Sequence, residues 1–197
     1  MINQQKNRLY ILLIFGMAII PFMIAWMLDG KAPFIEGHTN KGQLISPVVA
    51  TEPSDFIGLD TFSTDNITEL KGHWVTLNIV PQVDCNNICF DAIHKTKQLR
   101  LMMNKDLTRT RRAVIFLKDV SPELANQWLQ DDTVLLKIKP SAALQHKIAE
   151  LRNGRLPDGL LLLMDPMGNL MMQYEPGFDP YKVKSDLMHL LRISQIG

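Results

Sequence analysis

A chain of 197 residues that is 46% hydrophobic can bury one core of ordinary size. Its net charge is only +1, and no basic run or aromatic–basic stripe is present, which excludes nucleic acid as a partner. Two cysteines, Cys85 and Cys89, are too few for a disulfide scaffold, and no second pair exists to build a zinc site.

Residues 1–8 are polar and precede an uncharged, strongly apolar run at residues 9–28. At about 1.5 Å per residue that run spans about 30 Å, the thickness of a bilayer core. Lys6 and Arg8 lie before it, Asp29 and Lys31 after it, a bias that places the N-terminus in the cytoplasm. Tyr10 and Trp26 sit near its ends, where amphipathic rings prefer the interface, and Pro21 is tolerated as a kink. The run is longer than the apolar part of a cleaved signal peptide, and no A-x-A site follows it. The expectation is a single-pass anchor in a bacterial inner membrane, with the lipid bilayer as its partner. Everything after Asp29 is then periplasmic, where thiols can be oxidised.

Residues 29–53, rich in Gly, Pro, Lys and Thr, read as a tether with one docking piece, GQLISPVV. A stretched tether of that length lifts a domain tens of Å from the membrane. Residues 54–197 read as the folded domain. Its first part, residues 56–70, is expected to form an edge hairpin or a short strand pair. Residues 74–80, rich in β-branched and aromatic side chains, read as a buried strand that Pro81 stops. After Asp84 the spacing becomes helical, with Ile88, Ala92, Leu99, Met102 and Met103 on the inner face.

The two cysteines therefore sit where a strand hands over to a helix. A helix N-terminus carries unpaired N–H groups and a partial positive charge, which favour a thiolate. Asp84 and Asp91 oppose it. Residues four apart inside a helix have Cβ atoms about 5–6 Å apart, too far for an unstrained disulfide. Closing the bond requires Cys85 in the non-helical junction. Cys85 is then the more exposed, nucleophilic member and Cys89 the resolving one. A structural disulfide, or two inert thiols, is the alternative.

Residues 112–118 form the second expected strand, flanked by the charges of Arg112 and Lys118. Ser121 and Pro122 open a short helix that ends at Asp131 and Asp132. Residues 133–139 read as a short strand. Residues 140–152 read as an amphipathic helix with Ala143, Leu144, Ile148 and Leu151 inward. Residues 160–164 and 169–174 make a β-hairpin across a four-residue turn. Residues 181–193 close the chain as a helix, with Val183, Leu187, Leu190 and Leu191 inward. The order β–α–β–α–(β)–α–β–β–α, with cysteines at the first strand-to-helix junction, is that of an α/β, thioredoxin-like fold behind one transmembrane helix.

Several stretches resemble the Sco/SenC family of membrane-anchored, thioredoxin-like proteins. They are Leu70-Lys71-Gly72-His73-Trp74, Cys85-x-x-x-Cys89, the LLLLMDPMGNL hairpin at residues 160–170, and Thr39-Asn40-Lys41-Gly42-Gln43-Leu44-Ile45-x-Pro47 in the tether. The resemblance implies a role in assembling the copper centres of cytochrome c oxidase. Its partners would be oxidase subunits or other assembly factors, and copper would be bound by Cys85 and Cys89. Two positions depart from the family. Phe90 stands where it has proline, and Arg155-Leu156-Pro157-Asp158-Gly159 holds no histidine where it supplies a third copper ligand. Asp158 lies near that place, but a carboxylate is a hard ligand and Cu(I) prefers sulfur. His38, His73, His94, His146 and His189 read as ordinary histidines, and the pairs Met102-Met103 and Met171-Met172 as core filler.

The cysteine pair and what the resemblance implies leave three functions, the assembly role coming from the resemblance alone. In the first, Cys85 and Cys89 exchange thiols with a partner's copper-ligand cysteines, or hold Cu(I) transiently through two thiolates. In the second, the protein is a non-catalytic assembly or docking factor. In the third, it is a general periplasmic thiol–disulfide oxidoreductase.

Overall fold

The computed structural model describes residues 2–29 and 40–194. The chain divides into two units, Met1–Thr39 and Asn40–Gly197. Lys31, His38 and tether residues 30–39 lie outside the described residues. In the first unit, α1 (Ile2–Asp29) runs through Pro21 without a break. Its stretch Tyr10–Met27 is long and apolar enough to cross a membrane, and none of it is buried in protein.

The second unit is built on one seven-stranded sheet. Its strands are β1 (Gln43–Ala50), β2 (Phe56–Gly58), β3 (Trp74–Val80), β4 (Thr110–Phe116), β5 (Leu136–Pro140), β6 (Leu161–Met164) and β7 (Asn169–Tyr174). They lie in the order β1-β7-β6-β3-β4-β5-β2. β3, β4 and β5 are mutually parallel, as a strand–helix–strand crossover requires, and the other pairs are antiparallel. Every residue of β3 is buried, so both faces of the sheet are covered.

The period-two alternation of β3 sorts its side chains between the faces. Val75, Leu77 and Ile79 pack with Leu144 and Ile148 of α5 (Ala142–Glu150). Trp74 packs with Ala92 and Leu99 of α3 (Asn87–Leu101) and with Val183, Leu187 and Leu191 of α6 (Pro180–Ile193). Val80 joins Cys89 and Ile93 of α3 and Ala125 of α4 (Pro122–Trp128). Each fully buried Leu or Ile contributes about 1.5–3 kcal/mol, so these three clusters hold the domain.

Several expectations are corrected. Residues 43–50, read as tether, form edge strand β1 against β7. The register shifts between Leu44 and Val49, and Pro47 lies in that irregularity, where an edge strand tolerates a missing N–H. Residues 56–70 are not a hairpin. Only β2 is extended, and α2 (Thr61–Asn66) and a 3-10 turn, Ile67–Leu70, follow it. Asp60 starts that helix by accepting from the Ser63 N–H at 2.8 Å. β5 begins three residues later than the expected strand and runs to Pro140. Ala143 is exposed on α5, and Ile88 is exposed at the start of α3. The hairpin stands as expected: Asp165 Oδ1 accepts from the Met167 and Asn169 N–H groups and closes its turn.

Candidate functional site

β3 ends at Val80, and α3 begins at Asn87. The intervening turn carries Cys85 just outside the helix, and Cys89 lies in its first turn. The two are joined in a disulfide with Cα atoms 5.3 Å apart. That separation falls in the ordinary range for a disulfide, and it is reached because Cys85 is not helical. Cys89 is 2% exposed and Cys85 9%. Both are buried, Cys89 the more deeply. The pair belongs to the buried cluster that also holds Val80, Ile93, Phe116 and Ala125. Val83, Ile88 and Phe90 around it are exposed, and Phe90 meets Trp128 edge-on at 6.4 Å.

Asn86 caps the cysteine helix. Its Oδ1 accepts from the Ile88 N–H at 3.0 Å and the Cys89 N–H at 3.1 Å. Its Nδ2 donates to Asp158 Oδ2 at 2.7 Å, across 72 residues of sequence. Asp158 Oδ1 is buried without a partner among the described residues. The loop holding Asp158 comes this close because of Gly159, whose φ is +83°. A Cβ there would lie 3.0 Å from the Ile88 carbonyl oxygen. Sequence reasoning placed Asp158 near the site only as a poor metal ligand. It missed Asn86, although an Asn one residue before a helix is a recognisable cap.

A buried polar network joins the same helix to the sheet. Thr96 Oγ1 accepts from Asn78 Nδ2 at 2.9 Å and from an Arg112 guanidinium nitrogen at 3.1 Å, and donates to the Ile93 carbonyl. Arg112 also donates to that carbonyl, and it pairs with Asp132 at 2.7 Å. Burial pulls the guanidinium below its ordinary value, and Asp132 opposes that shift. The network ties α3, which carries Cys89, to β3 and β4. Its one sequence signal was a charge at an alternate position within an apolar strand, read there as a flank.

The other residues singled out lie elsewhere. His73 starts β3 at the opposite end of the sheet and meets the Glu69 carbonyl. His94 is exposed on α3 beside Gln98, His146 pairs with Glu150, and His189 is exposed on α6. Met103 and Met172 are core residues, with Met102 and Met171 packed against the same cluster. An apolar cleft of about 330 Å³ opens between Phe56, Leu70, Met164 and Met167, at the end of the sheet away from the cysteines. It brings no thiol, so the site is placed by chemistry rather than by cavity size.

The donor set decides how copper fits. Among the described residues, no group of three or more His, Cys, Asp and Glu side chains converges to hold a metal. The loop packed against the first turn of α3 offers a carboxylate already engaged with Asn86. Two sulfurs and a hard oxygen are not a three-ligand Cu(I) site.

An α/β sheet with a disulfide at its β3–α3 junction, in a chain with a membrane-length helix, defines a thioredoxin-like protein. A family model described as the transmembrane-like, thioredoxin-like, C-terminal domain matches residues 74–194, and the chain belongs to that family. Solved structures share its fold. Apo Sco1 from Thermus thermophilus superposes with a TM-score of 0.56 at 15% identity, over 79% of this chain and 99% of that one. A SCO1/SenC family lipoprotein from Bacillus anthracis gives 0.51 at 16% identity, over 75% and 99%. Yeast Sco1 with copper bound gives 0.52 at 16% identity, over 64% and 83%. At these identities the likeness is one of fold, and the fold is the Sco/SenC-like thioredoxin fold expected from the sequence. No curated protein matches the chain by sequence.

Proposed function

We propose that this protein is a membrane-tethered thiol–disulfide exchange factor in the assembly of the cytochrome c oxidase copper centre, with its domain on the periplasmic side of a bacterial inner membrane. The observation that carries the reading is the Cys85–Cys89 disulfide at the β3–α3 junction of a Sco-like fold, with Cys85 the less deeply buried residue. A partner thiolate attacks Cys85 Sγ, and the Sγ–Sγ bond breaks. Cys89 leaves as a thiolate and takes up a proton. A second partner thiol then attacks the partner's sulfur in the mixed disulfide and releases Cys85. The partner loses two electrons and the pair gains them. Run in reverse, the reduced pair reduces a disulfide between a partner's copper-ligand cysteines.

Exchange is favoured over copper holding because the loop packed on the first turn of α3 carries Asp158, committed to Asn86, in place of a soft ligand. The exchange reading is tested with single and double serine variants in cells. Cys89→Ser is expected to accumulate a mixed disulfide through Cys85, and Cys85→Ser none. Cys85→Ser combined with Cys89→Ser is expected to lower oxidase activity at normal protein level. Full activity in the double variant would leave only a docking role. Anaerobic Cu(I) titration of the reduced protein against a chelator separates the routes: tight binding lost with Cys85 would restore copper holding.

A further inference from the structure

We propose that Asp158 is a positioning residue for the Cys85–Cys89 pair, acting through Asn86 to hold the two sulfurs in bonding geometry. The inference rests on the reading of the pair as one that exchanges. The five-residue ring closed by the disulfide contains Asn86. That residue is gripped from both sides. Its Oδ1 takes the N–H groups of Ile88 and Cys89, and its Nδ2 gives a hydrogen bond to Asp158 Oδ2. A cap needs only the first grip, which any Asn, Ser or Asp supplies. The second comes from a distant loop, brought in by Gly159 at positive φ against the first turn of α3. It leaves Asp158 Oδ1 buried and without a partner among the described residues, an arrangement that costs free energy.

The link to chemistry is effective concentration. A disulfide resists reduction in proportion to how often its two thiols are found within bonding distance once the bond is open. Reduction frees Cys85, which lies outside the helix, and lets the junction fray. With Asn86 pinned to Asp158, the junction stays folded against Cys89, and the bond re-forms readily.

The test uses the full chain in detergent and its equilibrium with glutathione. Two glutathione thiols are oxidised to one glutathione disulfide as the Cys85–Cys89 bond becomes two thiols. Asp158→Ala is expected to shift that equilibrium toward the dithiol by about fivefold, the scale of one net hydrogen bond. Asp158→Asn keeps an oxygen that accepts from Asn86 Nδ2, and is expected to stay within about twofold of the parent. Asn86→Asp keeps a helix-capping oxygen but sets two carboxylates together, and is expected to behave like Asp158→Ala. Adding Asp158→Asn to Asn86→Asp restores a donor–acceptor pair with its direction reversed, and is expected to recover the parent value. Equal equilibrium constants in all variants would overturn the proposal. So would variants that lose thermal stability without moving the constant, or a swap that fails to rescue. The measurement needs no oxidase, so its failure leaves the assembly reading intact. A null result in the oxidase assay likewise leaves this measurement unchanged.

Discussion

Asp60 shows how one carboxylate serves two elements. It caps α2 through the Ser63 N–H, and its other oxygen pairs with Lys137 Nζ at 2.9 Å. Both side chains are nearly buried, at 13% and 8% exposure, so solvent screens the pair weakly. Burial pushes the Asp60 carboxyl up. Hydrogen bonds from Ser63 and Lys137, with the lysine's charge, outweigh that and hold it below its ordinary value. A depressed carboxylate stabilises the fold above its unfolded pKa of about 3.9, and that stability is lost as pH falls through the lower folded value. Asp60→Asn keeps a capping oxygen but strands the ammonium of Lys137. Its expected cost is about 3 kcal/mol, the low end for breaking a buried pair. In urea titrations the gap between parent and variant should be full at pH 6 and should close below about pH 4. A gap independent of pH would show that the ion pair contributes nothing.

At the scale of elements, edge strand β1 is held at its start by a group from another part of the chain. Asp186 of α6 is buried and accepts from the Lys41 N–H at 2.8 Å, the Gly42 N–H at 2.9 Å and the Tyr174 hydroxyl at 3.0 Å. Burial and the Asp186 charge together push the Tyr174 phenol far above its ordinary value, so it stays a donor. Gly42 is required by space, because a Cβ there would lie 2.6 Å from the Tyr174 ring. β1 enters the sheet at Gln43 beside Gln173, and Leu161 pairs with both Tyr174 and Asn78. The chain thus enters the domain at the cysteine end of the sheet. Asp186→Ala leaves two backbone N–H groups and a phenol without their acceptor. Hydrogen exchange should then quicken at Leu44 and Ile45 while Leu77 and Ile79 in central β3 stay protected. Equal protection of β1 in parent and variant would mean that the strand is held by its ladder to β7 alone.

For the whole molecule, the disulfide is a poor scaffold. The ring it closes is short, separated by only four positions in sequence. Loop-closure entropy credits such a ring with about 2 kcal/mol. Three buried clusters on two faces of the sheet carry the rest. The full chain in detergent should therefore melt cooperatively with and without reductant, losing no more than about 2 kcal/mol on reduction. Loss of the folded state on reduction would make the pair structural and remove the case for exchange.

The sequence by itself determined the local features of this protein. The apolar run in α1, the alternation and β-branching of β3, the turn signals of the β6–β7 hairpin and the Ser121–Pro122 helix start each act over a few residues. It also placed Cys85 outside the helix, because a bond across four helical residues is too long. What only the tertiary structure decided depends on partners far away in the chain. β1 hid inside an apparent tether because Ser46 and Pro47 interrupt its pattern, and its binding partner, Asp186, lies 144 residues after Gly42. Arg112 looked like a strand flank until Asp132, Thr96 and the Ile93 carbonyl closed around it. Asp158 looked like a vacancy in a metal site until the fold set it against Asn86. Hydrophobic period and turn chemistry are written in neighbouring residues, whereas a buried polar contact is chosen by whichever distant group the packed sheet brings within 3 Å.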